Sequence, residues 1–127
     1  MIVPYLTIAP SKKGGRGVFT TRNIPANTVI EISPVIVLSS KDRAIAEKTS
    51  LYGYIFEWGA SKKKGCLALG YVSLYNHDYT ANCDYDMDFK HDLITIRTVR
   101  EIKKGEELYV NYNAEPNNKT KVWFKAK

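Results

Sequence analysis

Three short stretches of this chain hold the residue types that do chemistry. Asn76-His77 and Asn82-Cys83 lie close together, Gly105-Glu106-Glu107-Leu108-Tyr109-Val110-Asn111-Tyr112 follows later, and Gly14-Gly15-Arg16-Gly17 lies near the start. A thiol nucleophile at Cys83 with His77 as base is one reading, but no third group stands ready to orient the base. The glycine-rich turn lets a ligand approach backbone amides closely. It lacks the spacing and following helix of a phosphate loop or dinucleotide fingerprint. The chain has nine tyrosines. Buried tyrosine is usually core with a satisfied hydroxyl, yet a tyrosine cluster also makes an aromatic channel for an amine or cation. Tyr54, Tyr71, Tyr75, Tyr85, Tyr109 and Tyr112 are the candidates.

The elements that must position these residues read mostly as strands. Ile2–Ile8, Val18–Thr21, Thr28–Ile32 and Val35–Leu38 are rich in β-branched residues and bounded by Gly, Pro, Asn or Ser. Tyr52–Trp58 alternates Tyr52, Tyr54, Phe56 and Trp58 on one face, and Leu93–Val99 alternates Ile94 and Ile96 with polar residues. One helix is expected over Lys41–Lys48, with Ser40 as its cap. Asn76–Asn82 reads as a polar loop, because Asn and Asp bond their own backbone in turns. Arg22–Ile30 and Arg100–Leu108 echo each other as strand end, tight turn and new strand. Positive φ is expected at Asn27 and Gly105. The echo is read as the same turn used twice rather than as duplication.

The 127 residues suit one domain with one core, and 44% of them are hydrophobic. The apolar runs are too short to span a bilayer, and Met1–Tyr5 lacks the regions of a signal peptide. An intracellular protein, cytoplasmic or nuclear, is the expectation, with no membrane partner. Two cysteines make no disulfide framework. Two cysteines and two histidines could in principle hold zinc, but the ligand-pair spacing is missing, so no metal is expected. The formal net charge of +6 favours an acidic partner. No nucleic-acid-binding motif accompanies the charge, so no specific nucleic acid is expected.

Taken in chain order, the motifs resemble those of the SET-domain protein lysine methyltransferases, in a small stand-alone form. Gly15-Arg16-Gly17-Val18-Phe19 resembles the opening G-x-G turn, and Tyr54-Ile55-Phe56 the aromatic motif of the central insert. Asn76-His77-Asp78 with Asn82-Cys83 resembles N-H-S…P-N-C, and Gly105–Tyr112 resembles G-E-E-L-T-x-x-Y. Asp78, Ala81 and Asn111 stand where Ser, Pro and Asp are common in the family. None of these departures removes an expected catalytic group. The resemblance implies a mainly β fold of several small sheets with a knot-like C-terminal core and little helix. It implies a SET domain over residues 1–113 and a short post-SET-like tail over 114–127.

The resemblance further implies S-adenosylmethionine as cofactor and a lysine-containing protein or peptide, histone or another basic protein, as substrate. Cofactor contacts fall to Gly15, Arg16, Gly17, Asn76, His77, Tyr112 and Trp123. Tyr112 is the catalytic tyrosine, and Tyr54, Tyr85 and Val110 line the lysine channel. Tyr85 and Val110 together resemble mono-methylating members. A non-catalytic module of the same fold is the alternative reading. A homodimer is also expected, since a short lone domain has few segments of its own to complete the site.

Overall fold

The structure, a computed structural model, describes residues 1–112. The tail 114–127 and Trp123 lie outside the described residues. The strands are β1 (Leu6–Pro10), β2 (Arg16–Thr20), β3 (Val29–Leu38), β4 (Ile55–Trp58), β5 (Lys64–Ala68), β6 (Asn76–His77), β7 (Cys83–Asp88), β8 (Leu93–Thr98) and β9 (Glu107–Val110). A short helix, α1 (Ser40–Ala46), follows β3. Three small groups of ladders share strands along one path, β1-β2-β9-β7-β8-β3-β5-β4, with β6 beside β9. The fold is therefore mainly β with little helix. No helix among the described residues is long and apolar enough to cross a membrane.

β9 decides where the site forms. It lies antiparallel to β2 on one side, with Val18 opposite Leu108. On the other side it runs parallel to β6, with Asn76 opposite Tyr109 and His77 opposite Val110. Cys83 of β7 also faces Val110. The last strand among the described residues is thus inserted between segments far apart in sequence. Val18, Leu108, Val110, Cys83, Ile94 and Ile96 meet there in the core cluster, each at most 1% exposed.

Several local expectations change in the fold. Pro4 sits in a turn, so the first strand runs over Leu6–Pro10, and Ile2 makes only an isolated bridge to Glu31. The two expected strands around Ser33-Pro34 are one strand, β3, that changes partner at that point. Its first part pairs with β8, and Val35–Leu38 pairs with β5. Tyr52–Tyr54 is a 3₁₀ turn rather than strand, so Tyr52 and Tyr54 are exposed while Phe56 and Trp58 are buried. The helix is capped by Ser39, whose side chain accepts from the Asp42 N–H, not by Ser40. Asn76-His77 is no loop but the two-residue strand β6.

The echoed segments pair with each other. Ile24 and Ile102 exchange backbone hydrogen bonds of 2.8 and 2.9 Å, and both are fully buried. Asn27 (φ 58°) and Gly105 (φ 89°) take the left-handed conformation that their turns require. This pairing closes the base of β9, because Gly105 N–H also donates to the Thr20 carbonyl at 2.9 Å. Removing the Ile24 side chain would leave a cavity at the junction. Ile24→Ala is expected to lower unfolding stability by about 2–5 kcal/mol, with the urea m-value unchanged.

Candidate active site

The first part of the site is a carboxylate drawn into the sheet. Glu107, at the start of β9, is 7% exposed. It accepts hydrogen bonds from Ser11 Oγ (2.8 and 2.9 Å), Asn76 Nδ2 (2.9 Å) and Tyr109 Oη (3.1 Å). Asn76 Nδ2 also donates to the Arg16 carbonyl at 3.0 Å. Gly17 packs directly on this cluster: a Cβ there would lie 2.1 Å from Glu107 Oε2 and 3.0 Å from Asn76 Nδ2. The glycine turn and the Asn76-His77 strand are therefore held in contact through one carboxylate. Lys13 reinforces the junction with an ion pair to Asp78 at 3.2 Å, about one-third exposed and so worth little energetically.

Asn82 does comparable work from the other direction. Its Nδ2 donates to the Glu107 carbonyl at 2.9 Å, and its Oδ1 accepts from the Tyr109 N–H at 2.8 Å. A buried side-chain amide here replaces a strand partner for β9. Cys83 beside it is fully buried, and burial pushes its thiol pKa well up. A protonated thiol without exposure makes no nucleophile, so the Cys83–His77 reading falls. The Cys66 thiol is likewise pushed up to about 12, chiefly by burial.

The second part is centred on Tyr112, just past β9. Three of its groups are bonded. Its N–H donates to His77 Nδ1 at 3.1 Å, its carbonyl accepts from Tyr85 Oη at 2.9 Å, and its hydroxyl donates to the Tyr75 carbonyl at 2.9 Å. Phe56 packs edge-on against Tyr85 and Tyr112, with centroids 5.8 and 6.3 Å away. Burial raises the Tyr112 hydroxyl pKa to about 12, and Tyr54 nearby adds to the shift. Burial also raises that of Tyr85. Both phenols are protonated throughout the physiological range.

His77 is 4% exposed and stacks edge-on with Tyr79 at 4.3 Å. Because Nδ1 accepts from Tyr112, the ring proton belongs on Nε2. Nε2 is buried with no hydrogen-bond partner among the described residues. Such an unpaired buried atom calls for a partner, which a water or a ligand would supply. Burial, with Lys13 adding to it, lowers the His77 pKa below 6.5.

This arrangement has known counterparts. The SET domain family model matches residues 15–113. The chain belongs to the SET-domain family. A histone-lysine N-methyltransferase of Schizosaccharomyces pombe, specific for H3 lysine 37, is 40% identical over 120 residues, covering 94% of this chain and 76% of that protein. A histone-lysine N-methyltransferase SETD7 of Halocynthia roretzi is 35% identical over 72 residues, 48% of this chain and 18% of that one. A solved structure of a candidate histone methyltransferase from Plasmodium falciparum superposes with a TM-score of 0.67 at 25% identity, covering 87% of this chain and 98% of that one. A structure of ctPRC2 in complex with H3K27me3 and H3K27M superposes with a TM-score of 0.71 at 17% identity. It covers 84% of this chain and 14% of that one, and shows the fold alone. The chain is a protein-lysine N-methyltransferase, and SET methyltransferases use S-adenosylmethionine.

Within the SET domain, Tyr112, His77, Tyr85 and Asn76 come together around β6 and β9, with Tyr54 near Tyr112. Val110 lies deeper, 1% exposed in the core, with its carbonyl accepting from the Asp78 N–H. Arg16 contributes its carbonyl to Asn76 while its side chain is exposed. Sequence reasoning missed Ser11, Phe56 and Glu107 as site residues. The Gly-Glu-Glu-Leu run pointed to Glu107, but a carboxylate in a charged turn reads as solvated.

The His77 geometry has a pH consequence. The unfolded chain takes up a proton near pH 6.5, whereas folded His77 resists it to lower pH. Its contribution to stability is therefore complete above about pH 6.5 and is lost as pH falls toward the lowered value. Urea midpoints from pH 5 to 8 are expected to rise through this window. His77→Gln should flatten that part of the curve.

Proposed function

We propose that the Gly15–Gly17 backbone, the Asn76 side chain and the His77 backbone hold S-adenosylmethionine, and that Tyr112 is the catalytic tyrosine. The residues present fit this cofactor: Asn76 is held against the glycine turn through the Arg16 carbonyl and the Glu107 carboxylate, and His77 Nε2 is a buried polar atom with no hydrogen-bond partner among the described residues. When bound, the cofactor supplies a methyl group activated on a sulfonium. The observation that carries the reading is Tyr112 itself, fixed through its N–H, its carbonyl and its hydroxyl.

The chemistry asked of the protein is modest. The substrate amine must be neutral and aligned. Phe56, Tyr85, Tyr112 and Tyr54 form an aromatic wall that disfavours the charged ammonium by desolvation. Tyr112 keeps its proton, with a pKa near 12, so it orients and donates rather than acting as base. Holding the amine about 3–3.5 Å from its target removes much of the barrier through proximity.

The substrate in this reading is a basic protein, with histone H3 the first candidate because the fission-yeast relative is specific for it. A nuclear location follows from that choice. The domain boundary at 113, a role for Trp123 of the tail in covering adenine, and a homodimer complete the proposal. Loss of affinity for S-adenosylhomocysteine on removing 114–127 supports the tail's role; unchanged affinity removes it.

The decisive measurements are calorimetry with the cofactor and transfer of labelled methyl to histone H3. Tyr112→Phe should lower kcat by about two orders of magnitude while cofactor affinity holds. Absence of binding at millimolar S-adenosylmethionine would overturn the proposal. Tyr85, bonded to the Tyr112 carbonyl, is expected to limit the product to mono-methyl-lysine. Mass spectra should show di- and trimethyl products rising in Tyr85→Phe, and mainly trimethyl product from the wild type would sink that claim.

A further inference from the structure

Behind Tyr112 lies a second buried carboxylate that the reaction does not touch. Glu31, on β3, is 0% exposed. It accepts from Ser33 Oγ at 2.6 Å, from the Tyr71 N–H at 2.7 Å and from Tyr75 Oη at 2.8 Å. Among the described residues it enters no ion pair. A buried carboxylate without a cation is costly, and apolar packing of the same volume often does as well for stability. Three short donors offset the cost here, and they come from selected places.

Tyr71 and Tyr75 bracket the 3₁₀ turn Val72–Leu74 that leads straight into β6. One carboxylate thus pins both ends of that turn. Space is kept for it as well. Gly70 has φ 65°, and a Cβ there would lie 2.3 Å from both Glu31 Oε2 and Ser33 Oγ. The Tyr75 ring is fully buried, and its backbone carbonyl is the group that accepts the Tyr112 hydroxyl. Carboxylate, Tyr75 side chain, Tyr75 carbonyl and Tyr112 hydroxyl form one connected series.

We infer that Glu31 is a positioning residue for Tyr112, acting through Tyr75: its carboxylate fixes the Tyr75 ring and so aims the Tyr75 carbonyl that orients the Tyr112 hydroxyl. The inference rests on Tyr112 being the catalytic tyrosine. It assigns Glu31 and Tyr75 no contact with cofactor or substrate. Their loss should therefore slow turnover without weakening binding.

The test compares wild type, Glu31→Gln, Tyr75→Phe and the double variant in steady-state methyl transfer. Wild-type activity together with its loss in Tyr112→Phe secures the underlying reading; failure there sinks that reading and this inference with it, whereas the outcomes below sink this inference alone. With it secured, each single variant should lower kcat about tenfold while KM for cofactor and for peptide stays within about twofold. Because both act in one series, the double variant should be no slower than the slower single variant. Unchanged kcat, an effect confined to KM, or additive losses would overturn the inference. If Glu31→Gln does not fold, Tyr75→Phe and Ser33→Ala carry the same comparison, since each removes one hydroxyl donor and leaves the carboxylate.

Discussion

The site depends on polar groups taken out of water inside a very small protein, each of which must find a partner. Glu107, Asn76, Asn82, Glu31, Ser33 and Asn111 are all at least nine-tenths buried. Burying such groups unpaired would cost more than a domain of this size has in net stability. They are instead bonded across long sequence separations: Ser11 to Glu107, Asn76 to Arg16, Asn82 to β9. The same bonds that make the polar groups tolerable bring the glycine turn, β6 and β9 to one place. Stability and site assembly are here one set of interactions.

The electrostatics of the site follow from the same withdrawal. Burial raises the pKa values of the Tyr112, Tyr85 and Tyr75 hydroxyls and lowers that of His77. Every one of these groups is driven to its neutral form, as low dielectric surroundings demand. On the proposed reading, an amine entering among them meets the same pressure. No strong base is then needed, because the environment that keeps tyrosine protonated and histidine neutral also disfavours ammonium.

What could be read from the sequence and what could not divide along a physical line. That Tyr112, Asn76, His77 and the glycine turn meet was legible from the order of their motifs along the chain. The turns at Asn27 and Gly105 were legible because positive φ selects those residues. Glu31 was not. Ile30-Glu31-Ile32 alternates as though the carboxylate faced solvent, but the register shifts between Val29 and Glu31, so Ile30 and Glu31 are both buried. A bulge of this kind changes which face a residue takes, and no local pattern announces it. Tyr52 and Tyr54 failed for a related reason: a 3₁₀ turn removed them from the alternation that Phe56 and Trp58 continue.

If Tyr85 limits the product as proposed, it also ties product number to rate. Its hydroxyl occupies volume beside Phe56 and Tyr112, and it is also the donor to the Tyr112 carbonyl. Removing that hydroxyl to make room for further methyl groups would release one of the bonds that fix Tyr112. The cost is a looser tyrosine, and misplacement of an aligning group lowers rate steeply. Room and alignment are therefore coupled through one oxygen atom.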